Sequence, residues 1–254
     1  MILKEFKELI RDYQHSASYI TNKTLEITKK ALLEDNIDKK ELLSYIEKIA
    51  KAHSQMASIY NLYLFLKDNL DIDKINKYQL KLKDDEIKTI KNASRFLKNF
   101  KKIAIYSYSS LVKKALNSLD KQKIQILISE ARPINEGKTL CQELQKDGFN
   151  VILTTDALLA SMLKEVDILL LGADGITKEY LIHKAGTLPL TLSTKYFNKK
   201  VITIAPPNKF FPKEYTPSLE EAKPSNQIDT LCKKIKNLYF DQTPLKFIDK
   251  IISS

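Results

Sequence analysis

The first 132 residues contain neither glycine nor proline, and all five glycines fall between Gly137 and Gly186. Strands and tight turns draw on these two residues for their special dihedrals, whereas helices exclude them, so a stretch this long without either reads as helical. The spacing predicts a first helix over residues 3–20, with Leu3, Phe6, Ile10 and Tyr13 on one face. A second, over 23–33, stops at the polar cluster Glu34-Asp35-Asn36. Asp38 followed by Glu41 has the spacing of a capping box and opens a third helix. Its apolar positions Leu42, Tyr45, Ile46, Ile49, Met56 and Ile59 carry it on to residue 66. A lysine-rich helix over 74–98, apolar at Ile75, Tyr78, Leu82, Ile87, Ile90 and Leu97, completes a bundle.

The character changes after Lys101-Lys102. Residues 103–106, 124–129, 151–154 and 166–171 are short apolar runs separated by helix-period segments, the pattern of parallel strands with crossover helices. A helix follows Thr187 to about residue 197, and residues 201–205 read as the last central strand. Prolines at 206, 207, 212, 217 and 224 mark 206–226 as a surface loop. Residues 240–244 read as a turn, and 245–252 as a short terminal helix. The expected fold class is α/β: a helical domain over 1–99 and a Rossmann-like parallel-sheet domain over 100–254.

In such a sheet, ligands bind beyond the carboxyl ends of the strands. The polar groups there are Glu130-Ala131-Arg132-Pro133, Asp156 and Gly172-Ala173-Asp174-Gly175, read as one converging pocket. Arg132 offers a bidentate anion fork, although an internal pair with Glu130 would also account for it. Asp156 fits a helix cap as well as a ligand. Lys184 stands before a helix whose N-terminus can receive a phosphate.

Composition narrows the function classes. Only Cys141 and Cys232 are present, with His15, His53 and His183, and their spacing matches neither a disulfide framework nor a zinc site. No apolar run approaches the roughly eighteen residues of a membrane span, and the start, MILKEFKELIRDYQ, is charged where a signal peptide is apolar. A soluble, cytoplasmic protein without a cofactor is expected. The formal charge is +11, but only Arg11, Arg95 and Arg132 among the 42 basic residues are arginine, and the excess is spread along the chain. A lysine-rich solvated surface accounts for it, so specific nucleic-acid recognition is not expected.

Seven stretches, in order, carry a resemblance: YSYSSLVKKAL (106–116), SEARPINEGKTL (129–140), TTDALLASM (154–162), LLGADGI (170–176), HKAGT (183–187), Lys209-Phe210 and FDQTPLKFIDKII (240–252). They resemble the alpha, beta and delta regulatory subunits of translation initiation factor 2B. That family shares its fold with the methylthioribose-1-phosphate and ribose-1,5-bisphosphate isomerases. The resemblance implies ligand contacts at Ser107, Ser109, Glu130, Arg132, Asp156, Asp174, His183, Lys184 and Lys209. The isomerases use a cysteine and an aspartate as acid and base. The aspartate is Asp174, whereas the cysteine position holds Ser107, a far weaker acid. Their arginine-glycine phosphate turn falls on His15-Ser16-Ala17-Ser18, and their usual asparagine on His183. These departures imply a non-catalytic regulatory subunit, a homodimer or partner of related subunits, with a phosphorylated sugar or nucleotide in a relic pocket and a role in the guanine-nucleotide exchange assembly. An aldose-ketose isomerase working through Asp174 is the alternative, and a charge-driven nucleic-acid module a third reading.

Overall fold

The computed structural model describes residues 2–34, 38–218 and 220–254. The front of the chain is helical: α1 (Ile2–Ile10), α2 (Ala17–Glu34), α3 (Lys39–Ala52), α4 (Ala57–Leu66) and α5 (Ile72–Leu97). The single helix expected over 3–20 is broken. The Asp12 carboxylate accepts the backbone N–H groups of Gln14 and His15 and a ring contact from His15 at 2.7 Å. A short acidic side chain competes in this way with the helical ladder and ends it. Ser16 then accepts the Tyr19 N–H and starts α2. Of the cluster expected to stop that helix, Asp35 and Asn36 lie outside the described residues.

Asp38 caps α3 through the Lys40 N–H. The helix expected to continue to residue 66 turns instead at His53, whose buried ring meets the Leu9 carbonyl at 2.8 Å. Burial holds the His53 pKa below its ordinary value, so the ring is neutral and its Nε2–H donates to that carbonyl. Asp71 caps α5 by accepting the Lys74 N–H at 2.7 Å. Phe6, Ile20, Leu25, Leu42, Ile46, Ile49, Leu62 and Ile75 form one fully buried cluster between these helices.

The second half is built on β1 (Lys102–Ile105), β2 (Gln125–Ser129), β3 (Asn150–Thr154), β4 (Ile168–Leu171), β5 (Gly175–Ile176), β6 (Tyr180–Lys184), β7 (Lys200–Ile204), β8 (Phe240–Pro244) and β9 (Lys250–Ile252). Its helices are α6 (Ser110–Asn117), α7 (Glu136–Lys146), α8 (Asp156–Met162) and α9 (Thr187–Tyr196). Six strands form a parallel sheet in the order β3-β2-β1-β4-β7-β9. The chain steps outward from β1 through β2 to β3, then returns to the other side of β1 with β4. That reversal leaves a crevice beyond the carboxyl ends of β1 and β4, the place where such sheets bind ligands.

Three expectations are corrected here. Residues 245–252 are not a helix: a single 3-10 turn over Leu245–Phe247 leads into β9, which pairs with β7. Asp249 accepts the Val201 N–H at 2.7 Å, and pairing to β7 satisfies backbone groups that a helix would leave open on that edge. The segment 206–226 is not wholly on the surface. Lys209 and Phe211 are buried, and Asn61 of α4 donates to the carbonyls of Asn208 and Phe210 at 3.0 and 2.8 Å. Finally, β5, β6 and β8 form a small antiparallel sheet absent from the sequence reading, in which Asp241 stands opposite His183.

Candidate active-site cleft

Beyond β1 the chain turns sharply at Ser107, a non-glycine residue at φ 65°. Tyr106 is buried just before it and donates its hydroxyl to the Ala185 carbonyl. The Ser107 hydroxyl donates to Oε1 of Glu136 at 2.8 Å. Glu136, in the first turn of α7, is gripped by Lys184, whose Nζ lies 2.9 Å from Oε1 and 3.2 Å from Oε2. Lys184 is only 4% exposed, and its ammonium sits 5.1 Å above the Tyr239 ring. Ser109 caps α6 by accepting the Val112 N–H, so the N-terminus of that helix opens beside Ser107.

Across the crevice, the turn after β4 presents Asp174. Its backbone N–H donates to the Ile182 carbonyl at 3.0 Å, and its own carbonyl accepts the Ala57 N–H at 2.9 Å, so sheet and helical half both pin it. Burial raises the carboxyl pKa, Lys209 draws it back down, Glu136 adds to the rise and Lys184 opposes it. Lys209 comes from the strap after β7 and is 6% exposed. Burial lowers the pKa of its ammonium, and Asp174 raises it through space. His183, 3% exposed, places Nδ1 2.9 Å from the Thr187 hydroxyl. Burial, with the charges of Lys184 and Lys209, pushes its pKa down to about 3.

One cleft joins these groups. Its walls are Ser107 to Leu111, Ala173, Asp174, His183, Asn208 and Lys209 on the sheet side, and Ser16, Ser18, Thr21, Asn22, Leu82 and Glu86 on the helical side. Among the expected residues, Ser107, Ser109, Asp174, His183 and Lys209 are therefore brought together. The others are not. Glu130 pairs with Lys138 at 3.2 Å, and the exposed Arg132 guanidinium lies 3.4 Å from the Gln227 and Ile228 carbonyls. Asp156 is consumed by the Ala131 and Arg132 backbone N–H groups at 2.9 and 2.8 Å. These three follow β2 and β3, on the far side of β1 from the crevice, which is why the expected single pocket does not include them.

Lys184 stands behind the cleft, in β6, and the N-terminus of α9 is not open to a phosphate. Asp241 already occupies it, accepting the Gly186 and Leu188 N–H groups at 2.8 and 3.0 Å. The sequence reading missed Glu136, Asn208, Thr21 and Asn22. Glu136 lies inside the SEARPINEGKTL stretch, directly before Gly137, and was legible as a carboxylate in a first helical turn. The α2 residues carried no such signal. Among the described residues, no group of three or more His, Cys, Asp or Glu side chains gathers to hold a metal ion.

A crevice at the switch point and an aspartate after β4 fit both branches of the resemblance, whereas the serine in the β1 turn departs from the isomerases. The sequence profile of the initiation factor 2 subunit family matches residues 2–254. The chain belongs to the initiation factor 2 subunit family. Within it, a Pyrococcus horikoshii protein named as eIF-2B subunit 2-like is 26% identical over 264 residues, covering 99% of this chain and 94% of the relative. The ribose 1,5-bisphosphate isomerase of Methanocaldococcus jannaschii is 35% identical over 138 residues, 51% of this chain and 45% of the enzyme. The family fold is seen directly in the crystal structure of the Pyrococcus horikoshii OT3 translation initiation factor eIF-2B. It superposes with a TM-score of 0.86 at 24% identity, over 99% of this chain and 94% of that one. A chain of the tetrameric eIF2B-beta2-delta2 complex from C. thermophilum matches with a TM-score of 0.70 at 15% identity, over 99% and 88%. The family thus spans eIF2B-like proteins and sugar-phosphate isomerases. Among the described residues of this member, no helix is long and apolar enough to cross a membrane.

Proposed function

We propose that the chain is a non-catalytic regulatory subunit of the eIF2B type, cytoplasmic, with a phosphorylated sugar or nucleotide in the cleft of its isomerase relatives. The observation that carries this reading is the state of Ser107. It stands where the resemblance places the isomerase cysteine, and its one proton already points at Glu136, a carboxylate neutralised by Lys184. A hydroxyl is a much poorer acid than a thiol, and this one is committed to an internal partner. The cleft keeps what binding requires: the buried Lys209 ammonium, the N-terminus of α6 and a wall of hydroxyls. An eIF2B-type subunit of this kind would regulate or scaffold guanine-nucleotide exchange on initiation factor 2.

Self-association, or pairing with related subunits, belongs to the same reading. Ile152 and Leu153 on the edge strand β3, Leu158 of α8, and Leu192 and Tyr196 of α9 are exposed large apolar residues, Tyr196 to 80%. Large apolar side chains exposed on an edge strand and on two neighbouring helices are ordinarily covered. The division into units over 1–99 and 100–254 is likewise part of the proposal.

Asp174 favours a second reading, an aldose-ketose isomerase. A carboxyl with its pKa raised by burial, opposite a buried lysine, has the electrostatics of an acid–base group. Two assays separate the readings. Incubation with ribose 1,5-bisphosphate and with methylthioribose 1-phosphate is expected to yield no ketose product; turnover that disappears in Asp174→Asn would establish the enzyme. A thermal-shift screen against ribose phosphates, nucleoside monophosphates and inorganic phosphate is expected to raise Tm, and Lys209→Ala to remove the shift. No shift with any of them would leave the cleft without a ligand role.

A further inference from the structure

His183 is set apart in the cleft because its surroundings decide which ring nitrogen holds the proton. The Thr187 hydroxyl has one proton, and it donates that proton to the Lys184 carbonyl at 2.6 Å. The 2.9 Å contact between the same oxygen and His183 Nδ1 is a hydrogen bond only if Nδ1 is the donor. The ring is neutral, so it has no second proton to place. Nε2 is left as a bare lone pair. It lies 3.7 Å from the point where a Cβ on Gly172 would stand, and Ser109 Oγ lies 2.8 Å from that same point. His183 and Ser109 both line the cleft, and among the described residues no hydrogen bond reaches Nε2.

We propose that His183 is a specificity-determining residue: held by Thr187 with its proton on Nδ1, it presents Nε2 to the cleft as an acceptor that admits a sugar hydroxyl and rejects a carbonyl oxygen. The inference deepens the reading of the cleft as a sugar-phosphate site and rests on it. A hydroxyl donates to Nε2, whereas a carbonyl oxygen sets lone pair against lone pair and leaves both buried acceptors unsatisfied. Asparagine at this position would serve either group, since its amide carries both an N–H and an oxygen. With histidine, the cleft selects the ring-closed form of a sugar phosphate over an open-chain ketone.

Two measurements test this. Long-range proton–nitrogen correlation spectra of the ligand-free protein are expected to show His183 Nε2 unprotonated and Nδ1 protonated at neutral pH. Thr187→Val is expected to release that fixed state. A protonated Nε2 in the wild type overturns the proposal. By calorimetry, ribose 5-phosphate, largely a furanose, is expected to bind about tenfold tighter than ribulose 5-phosphate, whose phosphorylated C5 oxygen prevents ring closure. His183→Asn, with its fold checked by circular dichroism and melting, is expected to bring the two within about threefold. A ratio unchanged in the variant overturns the proposal. If neither sugar binds, the selectivity falls with the sugar-phosphate reading, and the spectrum shows separately whether the ring assignment was at fault.

Discussion

At the scale of single residues, the cleft is a place where charge is kept out of water at a cost. His183 is neutral in the fold, with its pKa pushed down to about 3, and burial lowers that of His53 as well. In the unfolded chain both titrate near the ordinary value of about 6.5. The unfolded state therefore takes up protons first, and the stability that each neutral ring contributes is full above about 6.5 and lost as pH falls towards the folded value. Denaturant unfolding between pH 7 and pH 5 is expected to show stability dropping on acidification. For His183 the slope approaches about 1.4 kcal/mol per pH unit, and His53 adds to it in the same direction. His183→Asn should remove its own share, and an unchanged slope would contradict the assignment. Asp174 and Lys209 form the second residue-scale pair. Because Lys209 draws the Asp174 pKa down, Lys209→Met is expected to raise it further, as read by carbon-detected titration of the carboxyl. The same variant is expected to lose phosphate binding.

At the scale of elements, the turn after β4 depends on a close approach. A Cβ on Gly175 would stand 2.4 Å from Phe211 Cε2 and 2.9 Å from the Gln55 carbonyl oxygen. Phe211 cannot easily retreat, since its ring is stacked on Tyr215 at 4.9 Å and faces Tyr60 at 6.0 Å. Gly175→Ala is expected to cost about 1–3 kcal/mol by overpacking, measured as a lower denaturation midpoint. It should also weaken ligand binding, because Asp174 is the adjacent residue. Elements like this divide what was legible in the sequence from what was not. The central strands β1, β2 and β4 announced themselves as apolar runs, because a strand buried on both faces needs no alternation. The interruptions at Asp12 and His53 left no glycine or proline behind, since a side-chain hydrogen bond in one case and a docked ring in the other turned the chain. β8 and β9 were hidden for another reason. Their partners, β6 and β7, lie far away in sequence, and strands this short exist only by pairing. The cleft shows the same split. Ser107, Ser109, Asp174, His183 and Lys209 follow strand order, and Ser16 and Ser18 lie in the stretch on which the resemblance puts the phosphate turn, whereas Thr21 and Asn22 reach the cleft only through the tertiary placement of α2.

At the scale of the whole molecule, two surfaces matter: the open edge at β3 and the seam between the helices and the sheet. If the apolar edge is where copies or related subunits meet, a charge there should keep them apart. Sedimentation of Leu158→Glu and Tyr196→Glu is expected to show a smaller species than the wild type, with circular dichroism unchanged because both side chains are exposed. A wild type that sediments as a monomer at micromolar concentration would remove that face from consideration. The seam has a different consequence. The cleft is walled by α2 on one side and by the β1–α6 turn on the other, so an anion held between Ser16 and Ser109 ties together two points with most of the helical bundle strung between them. Such a ligand acts as a removable staple. It closes a long loop of chain without covalent chemistry, and the stability it adds rises with ligand concentration and is lost when the ligand leaves.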